Sequence, residues 1–320
     1  MRPGWPETAR KASDLDRQIV DCLMEDGRMS GRDIAQRLGV SEATVSRRLA
    51  ALEEEKLLVV RGFIQPVSVG FASMSFARFS VEGDAPGAAA TLARQKGFHR
   101  VARIDGGQQL TALLLSADSK SNLRHIDRAL ATISALRLER MCEVLQVIPP
   151  GRTAHGFISS RQVRGLRQAD IQTKILQTVR FNMRKSLNQV SEQIHASPSA
   201  TRANLDRLIE HRIITPVVCA NPHFMGTPIL TQLRVRPRAA LDDSLTVLRE
   251  LLPQAWIFQC LEGESLIAEC PFASPSAAEQ KSLDIQRALE GSGVSIHLLL
   301  EIHSDLLDWW CDRTGDALPD

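Results

Sequence analysis

Two adjacent arginines, Arg47 and Arg48, lie in a stretch whose apolar residues recur at helical spacing. Val45, Leu49 and Leu52 fix the buried side of that helix, and at 100° per residue Arg47 falls nearly opposite it. A guanidinium group matches the paired acceptors of guanine in the major groove, a contact worth roughly 1–3 kcal/mol of discrimination. The spacing therefore predicts a helix that presents arginines to DNA bases, although the pair alone also suits a solvated surface helix. The predicted contact residues here are Ser41, Glu42, Thr44, Ser46, Arg47 and Arg48.

This helix is the last of three that the sequence predicts. Apolar residues recur at helical spacing over 14–24, 31–38 and 41–55. Asp14 can serve as the N-cap or the first-turn acid of the first helix, and Gly39 supplies the tight turn before the third. Helix, helix, glycine turn and helix is the order of a helix-turn-helix.

Strands are predicted after the third helix. The β-branched run 57–66 predicts a short strand pair, or wing. Beyond it, residues 72–148 alternate strand-like and helix-like segments in the order βαββαβ, which is the ferredoxin-like split unit with an antiparallel sheet. We therefore predict an α+β fold in which a winged helix-turn-helix precedes a ferredoxin-like domain.

The whole pattern occurs twice along the chain. At a shift of 156 residues, Arg28 falls on Arg184 and Pro66 on Pro222, and no gap is needed from residue 14 to residue 70. Such a long register predicts one duplicated unit rather than a chance match between helices. We predict two tandem units in the 320 residues.

The domain boundaries follow from this repeat and from the break in regular structure at Pro149, Pro150 and Gly151. The following residues are rich in Gly, Ser and Arg, as linkers are. The predicted domains are a winged helix-turn-helix at 1–66, a ferredoxin-like ligand and dimerisation domain at 67–148, a linker at 149–167, a second winged helix-turn-helix at 168–222 and a second ferredoxin-like domain at 223–320.

One stretch of the first unit carries a specific motif. Its residues are Leu15-Asp16, Asp26-Gly27-Arg28, Ser41, Arg47-Arg48-Leu49 and Leu52-Glu53. With them the chain resembles the Lrp/AsnC family of bacterial and archaeal transcription regulators. The resemblance implies a sequence-specific regulator that binds double-stranded DNA and is not an enzyme, with residues 42–48 entering the groove. The usual member has one unit, so this chain resembles a fused dimer.

The second unit departs from the motif. Ala203 and Asn204 replace the arginine pair, and Asn is able to contact adenine by two hydrogen bonds. Residues 5–59 hold 9 Lys and Arg against 11 Asp and Glu, whereas residues 161–215 hold 10 against 4. We therefore expect the first unit to contact bases and the second to contact mostly phosphates. The predicted contact residues of the second unit are Ser199, Thr201, Arg202, Asn204 and Arg207.

The resemblance also implies a small effector, an amino acid or another metabolite, near a glycine turn that is followed by an aspartate. The corresponding residues are Asp105, Gly106, Gly107 and Gln109 in the first unit and Glu262, Gly263 and Ser265 in the second. Gln109 and Ser265 stand where that aspartate is expected. The carboxylate that would pair with an ammonium group is therefore missing from both turns.

An enzymatic alternative stays open. The siroheme decarboxylases resemble the same family in tandem form and bind a tetrapyrrole. A site of that kind needs Arg or Lys near propionates and His near the macrocycle. His99, His125, His211 and His297 are present, but their spacing does not group them.

Composition limits the other classes of function. Hydrophobic residues make up 43% and the net charge is only +2, so a nucleic-acid site depends on local clustering of charge. The six cysteines form no CxxC pair and the histidines no HExxH motif, so we expect neither a metal nor another cofactor.

Location and assembly follow from the same residues. The scattered cysteines suit a reducing compartment, and neither a leader nor an apolar run of membrane-spanning length is found, so we expect a cytoplasmic chain with no membrane partner. Free sheet edges tend to pair, so the two halves pair within one chain or chains pair with each other, and we expect at least a homodimer.

Overall fold

The computed structural model describes residues 9–151, 171–238, 240–261, 266–290 and 292–303. The first three helices, called head one, are α1 (Asp14–Glu25), α2 (Gly31–Leu38) and α3 (Glu42–Glu54). The N-cap of α1 is Ser13 rather than Asp14, which lies in the first turn. Ser13 accepts a hydrogen bond from the Asp16 amide while the Asp16 carboxylate accepts one from the Ser13 amide, and this reciprocal pair fixes where the helix begins.

Strand β1 (Leu58–Ile64) does not form a hairpin wing. It pairs antiparallel with β6 (Ile214–Ala220) of the second repeat, from Leu58 opposite Ala220 to Ile64 opposite Ile214. Gly62 permits this pairing, because a Cβ there would lie 2.4 Å from Ile214 Cδ1. The predicted strand pair within 57–66 was therefore wrong: each repeat contributes one strand, and the pair joins the repeats.

The second repeat supplies head two, which consists of α6 (Ile171–Val179), α7 (Leu187–Ile194) and α8 (Pro198–Glu210). The two heads share one apolar core rather than having one each. Its fully buried members include Ile19, Leu23, Leu52, Ile175, Leu176, Leu208 and Phe224. Because one core and one strand pair join the heads, α3 and α8 are held in a fixed relation.

Each head is followed by a ferredoxin-like unit. The first unit consists of β2 (Ser73–Val81), α4 (Ala85–Ala93), β3 (Phe98–Ile104), β4 (Gln109–Ser116), α5 (Ser119–Thr132) and β5 (Leu136–Ile148). After a short helix, α9 (Pro222–Met225), the second unit consists of β7 (Ile229–Arg236), α10 (Leu241–Leu251), β8 (Trp256–Cys260), β9 (Leu266–Phe272), α11 (Pro275–Ala288) and β10 (Gly293–Ile302). The predicted α+β class and the order βαββαβ are found in both repeats.

The two sheets close on each other. The strand order is β10-β3-β4-β2-β5-β8-β9-β7, closed into a barrel, so β5 pairs with β8 and β10 with β3 across the repeats. We expected a homodimer because the sheets would have free edges. In the structure these edges pair with each other within the chain.

The barrel encloses both apolar and charged contacts between the repeats. The rings of Phe76 and Phe258 meet edge to face at 4.8 Å between centroids. Arg100 of β3 reaches Glu269 of β9, with 2.7 Å between Nη2 and a carboxylate oxygen, and both side chains are buried. A buried ion pair of this kind fixes which strands face each other. Among the described residues, no helix has the length and apolar character needed to cross a bilayer.

Candidate DNA-binding surface

Helix α3 turns a polar face to solvent because its apolar residues are used in the shared core. Val45 and Leu52 are fully buried, and Leu49 is nearly so. Ser41 caps the helix by accepting a hydrogen bond from the Thr44 amide at 3.1 Å. The exposed members of the predicted set are Ser41, Glu42, Ser46 and Arg47, while Thr44 and Arg48 are half-buried.

The two arginines of α3 have different surroundings. Arg47 is exposed, and no ion pair joins it to another described residue. Arg48 Nη1 lies 3.9 Å from Asp16 Oδ1, which draws its side chain toward α1. Arg47 is therefore the arginine of α3 that is free to reach a ligand of head one.

Asp16 is the fully buried centre of a small polar network that positions α3. Its carboxylate accepts hydrogen bonds from Arg10 Nη1 at 2.8 Å and from the Ser13 amide at 3.0 Å. Arg10 also donates a hydrogen bond to Glu55, the C-cap of α3. The network therefore connects α1 both to Arg48 and to the C-terminal end of α3. Burial raises the pKa of Asp16, but the hydrogen bonds from Arg10 and Ser13 together outweigh it and hold that pKa below its usual value.

This network was not predicted from the sequence. Asp14, which was predicted as the N-cap or the first-turn acid of α1, lies in the first turn, and the cap is Ser13, which forms a capping box with the acid three residues later. That spacing was the available signal. Arg10 lies before the helix and carries no comparable signal in the sequence.

In head two, Thr201 was wrongly predicted to contact DNA. It is fully buried, and its hydroxyl donates to the Ser197 carbonyl at 3.0 Å. The repeat register places Thr201 on Val45, which is a core position, so the residue follows the buried stripe of its helix despite its polar side chain.

Asn204 is also not presented to solvent as expected. Its amide nitrogen donates to the Ala200 carbonyl at 2.9 Å, and its amide oxygen accepts a hydrogen bond from Gln172 at 3.4 Å. Both ends of the amide are thus bonded within head two, which holds the half-buried side chain against its own helices. The remaining predicted residues, Ser199, Arg202 and Arg207, are exposed on α8.

The predicted effector turn of the first repeat is attached to the second repeat. The exposed carboxylate of Asp105 pairs with His297 Nδ1 and accepts the Leu298 amide at 3.2 Å, both on β10. Gly106 and Gly107 complete the turn with positive φ angles, and Gln109 begins β4. The structure therefore brings these residues together at the junction of β3 with β10, and Glu262, Gly263 and Ser265 lie outside the described residues.

Residues 13–53 match the AsnC-type helix-turn-helix domain, and they span head one from the α1 cap nearly to the end of α3. The chain carries an AsnC-type helix-turn-helix domain. Among its relatives, the HTH-type transcriptional regulator AldR of Mycolicibacterium smegmatis is 32% identical over 90 residues, which are 27% of this chain and 52% of AldR. An uncharacterized HTH-type transcriptional regulator of Pyrococcus furiosus is 44% identical over 50 residues, 16% of this chain and 32% of that protein. The chain thus spans about half the length of these relatives or less.

Solved structures of one protein are similar over nearly the whole chain. The siroheme decarboxylase NirDL has a TM-score of 0.56 at 12% sequence identity, and the similarity covers 92% of this chain and 93% of that one. At this identity the comparison shows the shared fold alone. It agrees with the α+β architecture and with two units in one chain.

Proposed function

We propose that this chain is a sequence-specific transcription regulator that binds double-stranded DNA with both heads. The observation that carries the proposal is the exposed Arg47 on the polar face of α3, inside the stretch that matches the AsnC-type domain. A helix of this kind places the residues of its N-terminal half against base edges in the major groove. The named relatives, which are HTH-type transcriptional regulators, support a DNA-binding role.

The two heads contribute unequally to this function. In head one Arg47 contacts a guanine, while Arg48 stays near Asp16 and contacts the backbone. In head two the exposed Arg202 and Arg207 neutralise phosphates, in agreement with the excess of basic residues over 161–215. Because the heads are fixed to each other, the preferred site is asymmetric and has one half-site that is recognised by sequence.

The test starts from DNA sequences selected by the purified chain from a random pool at two salt concentrations. Arg47→Ala should weaken binding to the selected sequence by about 5- to 150-fold, the equivalent of 1–3 kcal/mol, and should weaken binding to random DNA much less. Arg202→Ala should weaken both alike and reduce the salt slope by about one unit.

Arg94→Ala serves as the matched control, because Arg94 is an exposed arginine at the end of α4, away from both heads. It should leave both affinities unchanged. If Arg47→Ala weakens random DNA as much as the selected site, Arg47 does not contact a base. If the chain binds no DNA and instead changes the absorption spectrum of an iron-uroporphyrin, the tetrapyrrole alternative replaces the regulator.

Regulation and assembly extend this proposal. We expect a small effector to modulate DNA binding in the cytoplasm, and we expect chains to associate at least as dimers. Since the strands of the two ferredoxin-like sheets are paired in a closed barrel, we expect that association to use a surface outside the barrel edges.

A further inference from the structure

The two heads contact each other at two positions that are related by the repeat. At the first position, an arginine of head two is bound by head one. Arg184, which precedes α7, reaches the α1–α2 turn of head one, where its Nη1 donates to the Met29 carbonyl at 2.9 Å and lies 3.4 Å from the Gly27 carbonyl. Burial lowers the pKa of Arg184 and the charge of Glu53 opposes this, while burial raises the pKa of Glu53. The cation of head two is therefore held by two carbonyls of head one, and the charge of Glu53 favours it.

The equivalent position on the other side has an isoleucine in place of Glu53. The repeat register places Arg28 on Arg184, but it places Ile209 where head one has Glu53. Arg28 Nη1 is buried and has no hydrogen-bond partner among the described residues. Leaving a buried charged donor unsatisfied costs about 1–3 kcal/mol or more, so an anion that pairs with Arg28 would stabilise this side of the interface.

A cavity of about 320 Å³ lies at this second position, and we call it the interhead cavity. Arg28 and Arg212 line it together with the apolar side chains of Ile209 and Ile214, and residues 149–151 also line it. Ligand sites are concave, mostly apolar and supplied with a few polar groups, and this volume is at the lower end of their usual range. The cavity thus suits a small molecule with one charged end.

We propose that the interhead cavity binds a small organic carboxylate, whose charged group pairs with Arg28 and whose apolar part packs on Ile209 and Ile214. Glu25 and Asp26 also line the cavity, and their carboxyl groups disfavour a ligand with two negative charges such as a phosphate. Since the ligand contacts both heads at once, its binding stabilises the fixed relation of α3 to α8 in which the heads meet DNA. That consequence for DNA rests on the proposed function, whereas the binding itself does not.

The test uses three probes that share a phenyl ring. Their binding to the full chain is measured by ligand-observed NMR in the absence of DNA. Benzoate should bind, whereas benzyl alcohol, which has no charge, and phenyl phosphate, which has two, should bind at least about tenfold more weakly. Arg28→Gln should abolish benzoate binding. Arg32→Gln is the matched control, because Arg32 is an exposed arginine of the neighbouring helix α2 that does not line the cavity.

A second variant keeps the test valid if Arg28→Gln fails to fold. Ile209→Glu supplies the acid that Glu53 provides at the first position, so it should block benzoate binding and keep or raise the melting temperature. The proposal is overturned if benzoate does not bind at about 10 mM, or if Ile209→Glu binds it as the unchanged chain does. Titration of the selected DNA with and without benzoate then tests the coupling separately, and unchanged DNA affinity would remove the regulatory step and leave the cavity as a binding site.

Discussion

Replacing Asp16 by alanine should destabilise both heads, although the residue belongs to head one. The change removes the carboxylate that accepts from the Ser13 amide at 3.0 Å and from Arg10 at 2.8 Å. A lost cap costs about 1 kcal/mol, and a hydrogen bond to a charged group about 1.5–3 kcal/mol. The Arg10 side chain is 37% exposed, so solvent takes up part of that loss. We expect Asp16→Ala to lower the free energy of unfolding by about 2–4 kcal/mol.

The measurement is urea denaturation of the full chain, followed by far-ultraviolet circular dichroism. Asp14→Ala is the control, since Asp14 is an exposed acid in the same first turn, and its favourable interaction with the helix dipole is worth at most about 1 kcal/mol. Because the heads share one core, the helices of head two should unfold at the same lowered urea concentration as those of head one. Equal losses from the two variants would refute the anchoring role of Asp16.

The same substitution has a pH dependence with a defined sign. The pKa of Asp16 in the folded chain lies below the value of 3.8 that applies to the unfolded one. The carboxylate therefore stabilises the fold fully above that value, and its contribution is lost as the pH falls through the lower folded pKa. The difference in stability between the unchanged chain and Asp16→Ala should be constant at neutral pH and shrink in acid. A difference that grows in acid would contradict the assigned hydrogen bonds.

Two further substitutions test the contacts between the repeats. Gly62→Ala should lower the free energy of unfolding in urea by about 1–3 kcal/mol, because the added Cβ would lie 2.4 Å from Ile214 Cδ1 in the strand pair that joins the heads. An unchanged free energy of unfolding would mean that the strands separate at no cost. Glu269→Ala should lower the free energy of unfolding by about 3–5 kcal/mol, because it leaves Arg100 buried without its acid. The double change Arg100→Met with Glu269→Leu should restore most of this loss. If it restores none, the two residues do not act as a pair.

The elements of this fold could be predicted from the sequence because their signals are local. The second helix of head one has the predicted bounds, 31–38, because its cap Ser30, its apolar spacing and its terminating Gly39 lie within or next to the segment. The partners of the strands could not be predicted. Strand β1 has the same composition whether it pairs with a neighbour in sequence or with β6, and only the three-dimensional meeting of the repeats decides between them.

The candidate site was predicted in part for a similar reason. Arg47 was identified because the buried stripe of α3 fixes its direction, and that stripe is visible in the sequence. Thr201 was misassigned because its polar side chain was given more weight than its register with Val45, which would have placed it in the core. The contact of Arg48 with Asp16 joins two helices and has no periodic signal.

Joining two copies in one chain removes the constraint that both copies be the same. In a symmetric dimer every contact between heads occurs twice, so an acid at the position of Glu53 would satisfy both arginines and leave no cavity. Here the second copy has Ile209 at that position, and the interface has one satisfied arginine, Arg184, and one unsatisfied arginine, Arg28. The same freedom allows Arg47 to persist in one head while the other keeps its basic surface. The asymmetric DNA site and the single ligand cavity that we propose would both follow from this divergence, and we expect both to disappear if the second head is replaced by a copy of the first.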